Sequence, residues 1–317
     1  MDDLVERIKA SIENRDCDPW FPELTNDLVV RAWDCLHSDI GLAPNNYGTA
    51  RVLRRSISAP RDIIASLKRS SSSDAPTISI EAVQQKWADS YYKAGLSFYS
   101  SDEILERTIL GCVEEAVAII NQVPSLMGTV DALVRSLHVI KPDDPNHDVS
   151  FSEPDIPFSI FVSVPEERVA NDAVRVAEAI VHEAMHLQLT LIEQVVPLTA
   201  SLSKKYYSPW RRESRNAQGI IHALYVFTVI NRFLAQVSVS IFHGELAAHV
   251  RKRRGEISVQ IADTESFEAS PELTLLGAKF VQRLIHSSSS SLRSSRIFRT
   301  LPNSSSTSRT ESLSPDS

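Results

Sequence analysis

The chain predicts a mainly α (α+β) fold: a helical domain with a small β-hairpin or sheet ahead of one buried helix that carries an H-E-x-x-H signature. Three observations point there. Long stretches repeat apolar residues at the 3.6-residue period of a helix. Two short blocks, Val139-Ile140 and Phe158 to Val164, instead cluster β-branched and aromatic residues among Pro142, Pro145, Pro154, Pro157 and Pro165, as paired strands do. The run from Asn171 to about Val196 is apolar around most of its circumference, which is how a central helix reads.

Taken in order, residues 1–39 carry helical periodicity, interrupted around Asp18 to Pro22. Ala59 to Pro76, with four consecutive serines and flanking prolines, reads as a surface loop or a short helix plus loop. Ile80 to Tyr99 and Asp102 to Val123 read as two helices, the second capped by Ser100-Ser101-Asp102 and stopped by Pro124. Leu126 to Leu137 fits a further short helix. After the two strand blocks and the motif helix, a second apolar helix begins near Asn216 and continues, bent or in two pieces, toward His249. Ser270-Pro271-Glu272-Leu273 opens a last helix ending near Ile285. Beyond His286 serine dominates, and such a tail buries too little apolar surface to offset its ordering entropy. The expected organisation is an N-terminal helical segment and loop over 1–75, a metal-binding domain over 76–286 and a disordered tail over 287–317.

Composition narrows the function classes. With 317 residues, 43% hydrophobic and 23% charged, the chain is that of an ordinary globular protein able to bury a large core. A net charge of −7 argues against a general nucleic-acid binder, and Arg251-Lys252-Arg253-Arg254 reads as a solvated helix face. Cys17, Cys35 and Cys112 are odd in number and widely spaced, as reduced thiols are. The acidic start lacks the basic and apolar blocks of a secretory signal, and apolar stretches are broken by charges short of spanning length. A cytoplasmic protein with no nucleic-acid or membrane partner is expected.

The chemistry sits in Val181-His182-Glu183-Ala184-Met185-His186. Histidines at i and i+4 share a helix face about 6 Å apart along the axis, so both imidazoles reach one metal ion. Glu183 lies between them as the candidate catalytic group, able to act on a metal-bound water or to orient a ligand. A metzincin would have glycine and histidine where Leu189 and Ile192 stand, which excludes that class. A third ligand must come from elsewhere, because Glu193 lies roughly 10 Å beyond His186 along the axis. Glu178 reads as a carboxylate supporting the site from outside it, or as an ordinary one at a buried edge. The candidates are His222, flanked by Ile220, Ile221 and Leu224, or Glu213 and Glu245 in a gluzincin-like arrangement. Between the helices, Tyr206 to Arg215 gathers aromatics and arginines. The planar fork of Arg211 or Arg215 suits an acidic cosubstrate beside the metal.

Together with Pro197-Leu198, Tyr207-Ser208-Pro209-Trp210-Arg211, Arg215 and Gly219 to Phe227, the motif resembles the HEXXH-motif peptide-modification proteins associated with gene clusters for ribosomally made, post-translationally modified peptides. Phe151 to Pro154, Ile160 to Ser163 and Leu273 to Gly277 look like that family too. The resemblance spans roughly residues 135–285. It implies an Fe(II)- and 2-oxoglutarate-dependent peptide β-hydroxylase acting on a precursor peptide. His182 and His186 would then ligate iron with His222 as third ligand, and Arg211 or Arg215 would hold the 2-oxoglutarate carboxylate. One departure is that Arg212 to Asn216 lacks the prolines usual around the second arginine. The rival readings are a zinc metallopeptidase with Glu183 as general base and a catalytically inactive peptide-binding partner. In each, Phe158 to Val164 is expected as an exposed edge that an extended peptide joins as a further strand.

Overall fold

The computed structural model describes residues 2–37, 63–67, 78–83, 85–144, 148–152, 158–238 and 242–297. Helices dominate them, with a mixed sheet and a separate hairpin, so the mainly helical α+β expectation holds. The N-terminal periodicity resolves into α1 (Asp2–Glu13) and α2 (Pro22–His37), broken where the sequence breaks. Strand β1 (Ile63–Leu67) corrects the expectation of a surface loop, the rest of 59–76 lying outside the described residues. Strand β2 (Ile78–Glu81), helix α3 (Gln85–Lys93) and strand β3 (Ser97–Phe98) replace the single helix expected over 80–99. Its two ends are drawn into strands because β4 offers ladder partners to both. Helix α3 stops at Gly95, whose φ of +82° lets Leu96 N–H reach back to the Tyr91 carbonyl at 3.0 Å.

Ser100 starts the next stretch with a capping box, its hydroxyl accepting from Glu103 N–H while the Glu103 carboxylate accepts from Ser100 N–H. The chain forms α4 (Ser101–Leu105) and then α5 (Arg107–Ile120), because Glu106 turns to an extended ψ of 141°. Pro124 opens α6 (Pro124–Leu133), where its missing N–H costs nothing. Strands β4 (Ser136–Lys141), β5 (Ser150–Ser152) and β6 (Ser159–Ser163) lead into α7 (Asp172–Glu193), the motif helix, entered through Asn171 as expected. Hairpin β7 (Lys205–Ser208) and β8 (Glu213–Asn216) then leads to α8 (Ala217–Ser238). Helix α9 (Gly244–Ala262), a 3₁₀ turn (Glu265–Ala269) and α10 (Leu275–Ile297) follow. Helix α10 runs past Ile285 into the serine-rich stretch, and 298–317 lie outside the described residues.

The sheet runs β1-β2-β4-β6-β5, with β3 joining the far end of β4. Its central pairs are parallel: β2 with β4, and β4 with β6 from Ser136↔Ser159 to Ile140↔Ser163. Strand β6 is buried along its whole length, as parallel strands covered on both faces are. That overturns the expectation of an exposed edge at Phe158 to Val164. The outer strand on this side is β5, antiparallel to β6.

One continuous core joins Ile8, Trp20 and Phe21 of the N-terminal segment to Met185 of α7, Tyr225 of α8 and Phe280 of α10. Gln188 of α7, fully buried, donates to the Trp20 carbonyl and the Thr25 hydroxyl, both at 2.8 Å, and accepts from the Tyr225 hydroxyl. These bonds lock the motif helix's rotation. Ala217–Val237 is long and apolar enough to cross a membrane, contrary to the expectation that no stretch reaches that length. Of the 18-residue window that qualifies it, 67% is buried inside the structure.

Candidate metal centre

Helix α7 is apolar nearly all round, yet His182, Glu183 and His186 open on the side where β5, α8 and the β7–β8 hairpin meet. The structure brings His182, His186 and His222 together. His182 Nε2 lies 3.1 Å from His186 Nε2, and His186 Nδ1 lies 3.0 Å from His222 Nδ1. On its far side, His222 Nε2 donates to Glu193 Oε2 at 3.0 Å, and Gln218 Nε2 donates to the same oxygen at 2.8 Å.

One arrangement of protons satisfies this chain of hydrogen bonds. Glu193 as carboxylate only accepts, so His222 carries its proton on Nε2 and offers a lone pair at Nδ1. His186 then donates from Nδ1 and accepts at Nε2 from His182. Neutrality of the motif pair follows from burial, which lowers His182 to about 4, with Arg211 and Arg253 adding to the effect. Burial holds His186 well below its ordinary value, helped by the neighbouring His182 and His222. Neutral imidazoles are the form that binds metals.

The donor set fits a metal in kind, once the proton between His182 Nε2 and His186 Nε2 moves to the far nitrogen of the His182 ring. Two nitrogens 3.1 Å apart are spaced as ligands at adjacent corners of one ion, since bonds of about 2.1 Å at a right angle leave roughly 3 Å between donors. The third donor is close but turned, because His222 meets the opposite edge of the His186 ring. Accordingly, among the described residues no three His, Cys, Asp or Glu side chains converge as a complete metal site. The rival third ligands are not brought in: Glu213 is exposed on β8 and pairs with Arg215 at 3.4 Å, and Glu245 sits exposed in the first turn of α9.

Glu183 is turned toward the sheet. Its Oε1 accepts from the Ser150 hydroxyl at 2.7 Å and stays 3.9 Å from His182 Nε2. Burial raises its carboxyl to about 7, against the lowering effect of bonds from the Ser150 hydroxyl and from the Ser152 hydroxyl and amide. The Ser152 amide is available because the Val149 carbonyl pairs with Ser163 N–H, so that Ser150 and Ser152 turn their backbone groups to the outer side of β5. Sequence reading missed these serines: nothing in a three-residue strand signals that its hydroxyls meet a helix.

The segment expected as a loop is a hairpin whose turn, Pro209 to Arg212, closes with Arg212 at φ 55° and a 2.7 Å bond from its N–H to the Ser208 carbonyl. Trp210 stacks on Phe227 of α8 at 5.2 Å and 2°, and Phe227 meets the His182 ring edge-on at 5.4 Å. That docking holds Arg211 where its charge acts on His182, Glu183 and His186 alike. Among the described residues no hydrogen bond or salt bridge engages Arg211. Arg215 is the last of the charges that lower His186, and it is paired with Glu213 at 3.4 Å. Glu178, read as outside the site, is bound to Arg253 at 2.9 Å. No protein-family model matches the chain, and comparison with curated proteins returns no match.

Proposed function

We propose that this chain is an Fe(II)- and 2-oxoglutarate-dependent hydroxylase that modifies a residue of a ribosomally made peptide, akin to the HEXXH-motif peptide-modification proteins it resembles. The observation that carries the reading is a histidine-only cluster, His182, His186 and His222, beside a guanidinium, Arg211, that no hydrogen bond or salt bridge engages among the described residues. Three imidazoles would hold the metal and leave positions for an oxygen-donor cosubstrate. Iron held by these residues would supply the electron transfer to molecular oxygen, one atom of which would enter the peptide C–H bond while the other would go into the succinate formed, with carbon dioxide, from 2-oxoglutarate. The chain's own residues bind and orient. Arg211 would grip a carboxylate of the cosubstrate. Trp210 and Phe227 form an apolar wall that keeps water from the reacting centre. Glu183, clasped by Ser150 and Ser152, ties the motif helix to β5, along which a peptide would run.

A zinc metallopeptidase is the second reading, favoured by Glu183 alone: a carboxyl near 7, with Oε1 3.9 Å from His182 Nε2, suits a general base. One experiment separates them. The anaerobically purified protein is loaded with iron(II) or zinc and incubated with a candidate precursor peptide, with and without 2-oxoglutarate and oxygen, and products are weighed by mass spectrometry. The hydroxylase reading expects a peptide heavier by one oxygen and stoichiometric succinate with iron. A cut backbone with zinc and without 2-oxoglutarate would sink it.

A further inference from the structure

We propose that Glu193 is a positioning residue that sets which nitrogen His222 offers to its neighbour in the cluster, His186. The inference rests on the metal-site reading above and deepens it. Glu193 is the last residue of α7, and helix arithmetic makes it too remote to join His182 and His186 on one ion. The structure gives it other work. Gln218 and His222 stand at i and i+4 on α8, one turn apart on one face, and both donate to the single oxygen Glu193 Oε2, at 2.8 and 3.0 Å. An acceptor-only carboxylate on Nε2 forces the His222 proton to that nitrogen and leaves Nδ1 as the lone-pair donor. That Nδ1 is the atom facing His186, 3.0 Å away. Without Glu193 the ring loses that constraint, and the tautomer that turns an N–H toward His186 becomes accessible. Gln218 steadies the carboxylate, so that its position does not depend on His222 itself. A carboxylate behind a ligating histidine both orients the ring and strengthens it as a donor, and removing one costs about 10–100-fold in metal affinity.

The test uses the full chain, first free of metal. Long-range proton–nitrogen correlation on protein labelled in its histidines, with His222→Gln to assign the signal, should find His222 protonated on Nε2 and bare on Nδ1. Glu193→Ala should convert that signal to a tautomer mixture. It should also weaken binding of iron(II) alone about 10–100-fold, with the shape-preserving Glu193→Gln between it and the native protein. Circular dichroism and melting of both variants identify any loss that is merely unfolding, and Glu193→Gln carries the test if Glu193→Ala does not fold. A native His222 protonated on Nδ1, or folded variants that bind iron(II) as tightly as the native chain, overturns the assignment. A native protein that takes up neither iron(II) nor zinc instead sinks the metal-site reading, while the tautomer of His222 still decides what Glu193 does.

Discussion

His222 shows how much one side chain's surroundings decide. Its apolar neighbours in sequence make it a candidate ligand, and the structure sets it against His186 with a carboxylate at its back. His182→Ala, His186→Ala and His222→Ala should each abolish stoichiometric metal uptake measured by metal analysis after dialysis. Glu213→Ala and Glu245→Ala should leave it intact, since both carboxylates stand exposed away from the cluster. Loss of metal in either glutamate variant with retention in His222→Ala would reverse the assignment. Arg211→Ala should raise the 2-oxoglutarate requirement at least about tenfold, as expected for a lost charge-assisted bidentate clamp, and Arg215→Ala should change it far less. Titrating succinate release against cosubstrate reads both. A third residue prediction concerns Cys112, fully buried and raised to about 11 by that burial. A thiol attacks only as thiolate, and a raised value keeps it protonated until the pH climbs toward 11. At pH 8 a thiol reagent should therefore leave Cys112 unmodified in the folded protein and modify it on unfolding.

Elements here are joined by close backbone approaches as much as by side chains. Leu198, after the motif helix, accepts from Thr274 N–H at 3.0 Å, and Thr199 forms a bridge with Leu273. Gly277, in the first turn of α10, lies so near that a Cβ would come within 1.9 Å of the Leu198 carbonyl oxygen. Gly277→Ala should therefore destabilise by about 1–3 kcal/mol, the usual range for forcing extra volume into a packed site. A denaturant midpoint within error of the native protein's would mean that the contact relaxes freely. The same junction positions the site, because the chain leaves α7 here and returns through the hairpin that carries Trp210 and Arg211.

At the scale of the molecule, the N- and C-terminal helices close on each other around a buried cation. Arg283 of α10 donates to the carbonyls of Ser11 and Cys17 and stacks over Phe21 at 4.8 Å. Arg283→Met removes two charge-assisted bonds and strands both carbonyls, which should cost roughly 3 kcal/mol. A melt in which α1 and α2 detach before the rest would appear as a second transition in calorimetry, and an unchanged melting curve would show that the arginine is dispensable.

Reading the residues alone establishes the helical character, the bounds of the motif helix near Asn171 and the pairing of Val139-Ile140 with Phe158 to Val164. Each is local: periodicity, a cap or a strand-forming block declares itself within a dozen residues. The i, i+4 spacing of His182 and His186 is equally local and names a pair of ligands without any fold. What the pattern misses is set by distant partners. Ile80 joins a strand because β4 lies beside it, Phe158 to Val164 is an interior strand because β5 covers its other side, and Tyr206 to Arg215 is a hairpin rather than a loop. The meeting of His222 with His186, of Glu193 with His222 and of Glu183 with Ser150 joins residues 29 to 36 positions apart. Such contacts depend on how whole helices and strands pack, and no periodicity within one element encodes them.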